Sequence, residues 1–110
     1  HHELFHMADD SYDNLFSYDK WEKFNILDFQ YAECSTCSNR SDLSLIKDSN
    51  GFITEYSMST ASEDMAEVFS FMMTDMDNLS IISQDDSILN NKINFIISEI
   101  RKIDNNFKFK

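Results

Sequence analysis

Proline is absent from this 110-residue chain, and glycine occurs once, at Gly51. Proline breaks helix interiors and glycine loosens them. A chain almost free of both suits a mostly helical fold. Positive charge is also scarce: nine Lys and Arg stand against 20 Asp and Glu, a formal net charge of −11. Nucleic-acid binding needs Lys and Arg to neutralise phosphates, so that function is disfavoured. Anionic membrane surfaces are disfavoured for the same reason, and basic partners gain a weak preference. No apolar run approaches the roughly 18 residues that a membrane-spanning helix requires.

Cysteine is limited to Cys34 and Cys37, a single C-x-x-C. One such pair cannot fill a tetrahedral zinc site, which usually takes four ligands. A redox pair would open a helix beside a βαβ unit, and no such pattern surrounds it. It reads as an inert thiol pair or a local disulfide. What the chain does have is a hydrophobic content of 42%, with ten Phe, six Met and four Tyr. That is enough for one domain, or part of one, with a soft aromatic core.

The chemistry-bearing stretch is the opening HHELFH, which contains H-E-x-x-H as His2, Glu3 and His6. On a helix, residues four apart stack on one face, so His2 and His6 can offer two imidazoles to one ion. Glu3 can then reach a water at that ion and act as general base. His is rare here, three residues in 110, which makes the spacing informative. His1 projects about 100° away from His2 and is expected not to be a ligand. Asp9 or Asp10 can accept a ring N–H from a ligand His, or both belong to a solvated acidic run. A catalytic zinc needs a third protein ligand and an open position.

Further along, residues 1–16, 60–76 and 85–104 are expected to be helical. Residues 18–29 form a short helix or turn anchored by Trp21, Phe24, Leu27 and Phe29. Residues 31–51 look the least ordered by composition. Residues 52–56, FITEY, alternate apolar and polar and suggest a short strand or an extended approach. A break is expected over 77–83, and the end NNFKFK is expected to fray. In the last helix Leu89, Ile93, Ile96, Ile100 and Ile103 make the apolar stripe.

The third ligand is sought at Glu63. Thr60-Ala61-Ser62-Glu63 matches a capping box, so Glu63 has an ordinary helix-start reading. Yet Glu63 and Glu67 stand four apart on the second helix, and Ala66 permits close helix approach. One carboxylate can then join the two imidazoles while the other braces a ligand ring. With H-E-x-x-H upstream, the ligand reading is preferred.

At these residues the chain resembles a known group. HELFHMADD is similar to the H-E-x-x-H-x-x-D-D of the anthrax lethal factor type of protease domain, a gluzincin. TEYSMSTASEDMAEVF resembles the second motif of that type. A group of bacterial zinc metallopeptidases has the form Y-x6-E-D-x-A-E-x-F with a W-x-x-x-N between the motifs, here Trp21 to Asn25. The resemblance spans residues 2–73 and leaves the segment with Cys34 and Cys37 without a counterpart. It implies a zinc-dependent endopeptidase with Zn2+ held by His2, His6 and Glu63. It further implies Glu3 as catalytic base, Glu67 behind the ligands and Tyr56 facing the zinc as an oxyanion donor.

The implied fold is mainly α: the C-terminal helical part of a zincin-like α+β metallopeptidase domain. The active helix, the Glu-bearing helix and a long C-terminal helix would form residues 1–110 of one domain, with the rest upstream. The implied partner is a protein or peptide substrate, in a secreted or cell-surface setting. The competing expectations are a catalytically inactive, zinc-stabilised helical interaction module, and a toxin fragment that needs an upstream part.

Overall fold

The computed structural model describes residues 2–11, 17–27, 29–32, 34 and 50–103, and for residues 4, 8–11 and 103 the backbone alone. Five helices and one 3-10 turn make up its regular structure, and no strand occurs among the described residues. The helices are α1 (His2–Ser11), α2 (Tyr18–Glu22), α3 (Ala61–Thr74), α4 (Met76–Ser83) and α5 (Ser87–Ile103). The 3-10 turn is Tyr56–Met58. No described helix is long and apolar enough to cross a membrane.

Helix α3 is the hub. The other four helices and the 3-10 turn all pack against it. Its sequence is apolar around most of its circumference, and Met65, Ala66, Val68 and Met72 are fully buried. A helix apolar on all sides belongs inside a core. Its start is fixed by Thr60, whose hydroxyl accepts from the Glu63 N–H at 3.1 Å. That satisfies one of the four N–H groups a helix leaves unpaired at its start.

Helix α1 lies on α3 through Phe5, 2% exposed, whose ring sits 5.5 Å from that of Phe69. Helix α2 is short, capped by the Ser17 hydroxyl, and contributes Trp21, which is fully buried. Helix α5 buries Leu89, Ile93 and Ile96, the centre of the expected stripe. It begins at Ser87 rather than at residue 85, because the Asp86 carboxylate accepts from the Leu89 N–H at 3.0 Å and so caps it.

Four expectations need correction or bounds. Leu27, expected as an anchor of 18–29, is 99% exposed. Residues 52–56 are not a strand. Thr54 and Ser57 instead satisfy each other locally: Ser57 N–H donates to the Thr54 carbonyl at 3.2 Å, and the chain curls into the 3-10 turn. Residues 77–83 are not a break. They lie in α4, set off from α3 by Asp75, whose φ of −152° and ψ of 52° leave the helical region, and from α5 by a turn at 84–86. The apolar Leu79, 1% exposed, holds α4 against the core despite its polar neighbours. Finally, residues 12–16, Cys37 and 104–110 lie outside the described residues, as do the side chains of Leu4, Ala8, Asp9, Asp10 and Ile103. Cys34 is disulfide-bonded, so of its two sequence readings the disulfide holds.

Candidate metal centre

Helix α1 places His2 and His6 one turn apart on the face toward α3. Their Nε2 atoms approach to 3.1 Å, with ring centroids 4.7 Å apart. Glu63, in the first turn of α3, turns its carboxylate to both: Oε1 lies 2.5 Å from His6 Nε2 and Oε2 lies 3.4 Å from His2 Nε2. His2, His6 and Glu63 each offer a ligand atom within 4.8 Å of the others. Around a tetrahedral zinc with bonds of about 2.0–2.1 Å, ligand atoms stand about 3.3 Å apart. The observed separations bracket that value, and two imidazoles with a carboxylate are donors zinc accepts. The residues therefore fit the ion.

The three side chains are 19%, 23% and 12% exposed, so the cluster is neither sealed nor open on all sides. A closed structural site uses four protein ligands, whereas a catalytic one uses three and leaves a position for water. Among the described residues, three side chains that could hold an ion converge here, and all three are partly exposed.

Behind the ligands, each imidazole has a partner for its other nitrogen. Glu67 Oε2 lies 3.0 Å from His2 Nδ1. The Ser62 hydroxyl lies 3.2 Å from His6 Nδ1. Such contacts fix ring orientation and ligand basicity. Glu67 was anticipated in the sequence. Ser62 was not, although it adjoins Glu63 and sits in the first turn of the helix that faces α1. Asp9 or Asp10 was the other expected brace, and their side chains lie outside those described. The Tyr56 ring is 5.9 Å from the His2 ring, so the 3-10 turn brings it beside the cluster. Glu3 lies on the exposed side of α1.

A second polar group lies beneath the site. Asp64 and Lys92 are both fully buried and pair at 2.8 Å. The same Asp64 Oδ2 accepts from the Trp21 indole at 3.0 Å and from the Tyr31 hydroxyl at 2.6 Å. Asn25 donates to the Tyr31 oxygen at 2.9 Å. Lys92 also donates to the Gly51 carbonyl at 3.0 Å and lies 3.9 Å from the centre of the Phe52 ring. Burial pushes the Asp64 carboxyl up and the Lys92 ammonium down, while their mutual attraction opposes both shifts. Burial, and then the Asp64 charge, pushes the Tyr31 phenol far up. The W-x-x-x-N spacing thus supplies two members of a buried network. Lys92 was missed, though its place three residues after Leu89 and four before Ile96 put it on the apolar stripe.

Fold and site together define a helical protein in which two histidines and one glutamate, brought together from two helices, form a group that could hold a metal ion. The chain belongs to a family described as "putative zinc-binding metallo-peptidase", matched over residues 1–103. No curated protein and no solved structure matches the chain.

Proposed function

We propose that this protein is a zinc-dependent endopeptidase of the gluzincin type, its ion held by His2, His6 and Glu63. One observation carries the reading: the two Nε2 atoms and the Glu63 carboxylate converge from separate helices within a family described as zinc-binding. The helical unit would be part of a zincin-like α+β domain, and the substrate a peptide or protein.

Bound zinc would supply Lewis acidity and bring the pKa of its water to about 7. The chain's own residues do the rest. Glu3 follows His2 on α1 and is not among the clustered ligands, so its carboxylate is free to act as general base. It takes the proton of the attacking water and returns it to the leaving amine. Tyr56, beside His2, donates its hydroxyl to the oxyanion that develops on the scissile carbonyl. Glu67 and Ser62 hold the imidazoles in place while charge moves.

The test is Glu3→Gln. The variant should keep about one zinc per chain and the wild-type fold while losing chelator-sensitive peptide hydrolysis by roughly 10²–10⁴-fold. Full hydrolysis in Glu3→Gln would remove Glu3 from the mechanism. Zinc-loaded wild type that cleaves no peptide library would instead leave a structural site in a helical interaction module.

A further inference from the structure

Thr54 is fully buried, and so is Ser57 three residues later. Their contacts form a chain that can run in only one direction. The Ser57 backbone N–H, a donor only, reaches the Thr54 Oγ1 at 3.0 Å, shared with the Thr54 carbonyl at 3.2 Å. Thr54 Oγ1 therefore accepts there, and its single proton must go elsewhere. The acceptor it meets is Glu67 Oε1, at 2.9 Å. Reversing that bond would need a protonated Glu67 and would leave the threonine proton buried without an acceptor, which is costly. An ionised Glu67 accepts on both oxygens, from Thr54 on Oε1 and from His2 Nδ1 on Oε2 at 3.0 Å. His2 then carries its proton on Nδ1. A neutral imidazole has one N–H, so Nε2 keeps its lone pair, and Nε2 is the atom facing His6 and Glu63.

His6 is set the other way: its Nε2 lies against the Glu63 carboxylate and the bare His2 Nε2, both acceptors, so without metal its proton sits there. Its Nδ1 meets the Ser62 hydroxyl, which can donate or accept with equal ease. The two imidazoles thus differ: without metal, His2 is held with Nε2 bare and His6 with Nε2 protonated.

We propose that Thr54 is a positioning residue: the chain Ser57 N–H, Thr54, Glu67, His2 holds the His2 ring with Nε2 unprotonated and ready for zinc. The same turn carries Tyr56, so one local structure sets both the ligand ring and the nearby phenol. The role of Thr54 rests on the zinc reading above, but its effect on the His2 ring exists without metal.

The test begins on metal-free wild type, ¹⁵N-labelled at histidine, at a pH where the imidazoles are neutral. The His2 ring should show a protonated Nδ1 and a bare Nε2, with His6 protonated at Nε2. A His2 ring protonated at Nε2 overturns the proposal, whatever any variant does. Next, Thr54→Val keeps the shape and removes the hydroxyl, and Thr54→Ser keeps the hydroxyl. Thr54→Val should give a mixed His2 tautomer and about tenfold weaker zinc in competition with a chromophoric chelator, the low end for residues behind a ligand. Thr54→Ser should restore both. Unchanged tautomer and affinity in a folded Thr54→Val overturns the proposal. If Thr54→Val does not fold, the wild-type ring and Thr54→Ser decide: the serine variant must keep the Nδ1 proton. Wild type that shows the Nδ1 proton yet binds no zinc would remove the metal reading and leave the hydrogen-bond chain standing.

Discussion

The Trp21 indole N–H donates to Asp64 Oδ2 at 3.0 Å, and Asp64 directly follows Glu63. Successive helical residues diverge by about 100°, so a side chain anchored inward at 64 leaves its neighbour aimed elsewhere. Here that neighbour faces His2 and His6. The buried network and the candidate metal centre therefore use adjacent positions on one turn of α3.

Lys92 is the only cation paired with Asp64 among the described residues, and both are fully buried. Lys92→Met leaves the Asp64 charge uncompensated and should cost about 3–5 kcal/mol. Replacing both partners, as Asp64→Leu with Lys92→Met, should recover only part of that, because the stranded charge is gone but the Tyr31 hydroxyl and the Gly51 carbonyl lose their partners. Urea denaturation of the two variants measures the difference. A single variant as stable as wild type would mean that the pair is not carrying a charge.

Much of this was readable in the chain, for physical reasons. H-E-x-x-H is local, so the spacing alone stacks His2 over His6. Glu63 and Glu67 were readable because i, i+4 spacing again puts two carboxylates on one face. At Glu63 the backbone and the side chain go separate ways. Its backbone N–H serves the Thr60 cap, and its side chain turns to the imidazoles. Thr54 was hidden inside an apparent strand, because alternation in FITEY resembles β-structure while the threonine–serine pair favours a turn. Helix α4 was hidden by Asp77, Asn78, Ser80 and Ser83, which dilute its apolar face. The role of the network was invisible because Trp21, Tyr31, Asp64 and Lys92 meet only through tertiary packing.

Ser62 should matter to the metal and little to the fold. Its hydroxyl is the group recorded at His6 Nδ1, at 3.2 Å, in a half-buried position. Ser62→Ala should weaken zinc by about tenfold, the mild end for a partner behind a ligand. Chelator competition reads the affinity, and a thermal melt of the metal-free protein should move little. A large melting shift with unchanged affinity would reassign Ser62 to helix structure.

Gly51 is the one glycine, and its φ of +98° is a conformation that side chains rarely adopt. A Cβ there would also meet the side chain of Ile88, its Cβ at 2.9 Å and its Cγ2 closer still. The residue is held at both ends: its N–H donates to Asp86 at 2.7 Å and its carbonyl accepts from Lys92 at 3.0 Å. Gly51→Ala should therefore destabilise by about 1–3 kcal/mol, since crowding and backbone strain add. Chemical denaturation checks it, and a neutral result would show that Ile88 and the turn can both yield.

The start of α3 permits a clean separation of stability from metal binding. Thr60→Ala removes the cap oxygen and should cost about 1 kcal/mol of stability. Zinc affinity should hardly change, because the Glu63 side chain is not what Thr60 binds. Glu63→Gln does the reverse. The capped group is the backbone N–H of residue 63, which glutamine retains, so metal-free stability should stay near wild type. Zinc, however, loses an anionic ligand that lies against both imidazoles. The loss should exceed the roughly 10–100-fold typical of residues behind the ligands. Measuring metal-free stability and zinc affinity on both variants gives four values. Crossed effects, stability falling in one variant and affinity in the other, are expected. If Glu63→Gln instead lowers metal-free stability and leaves zinc bound as tightly as before, Glu63 is a helix-start residue and the third ligand lies elsewhere.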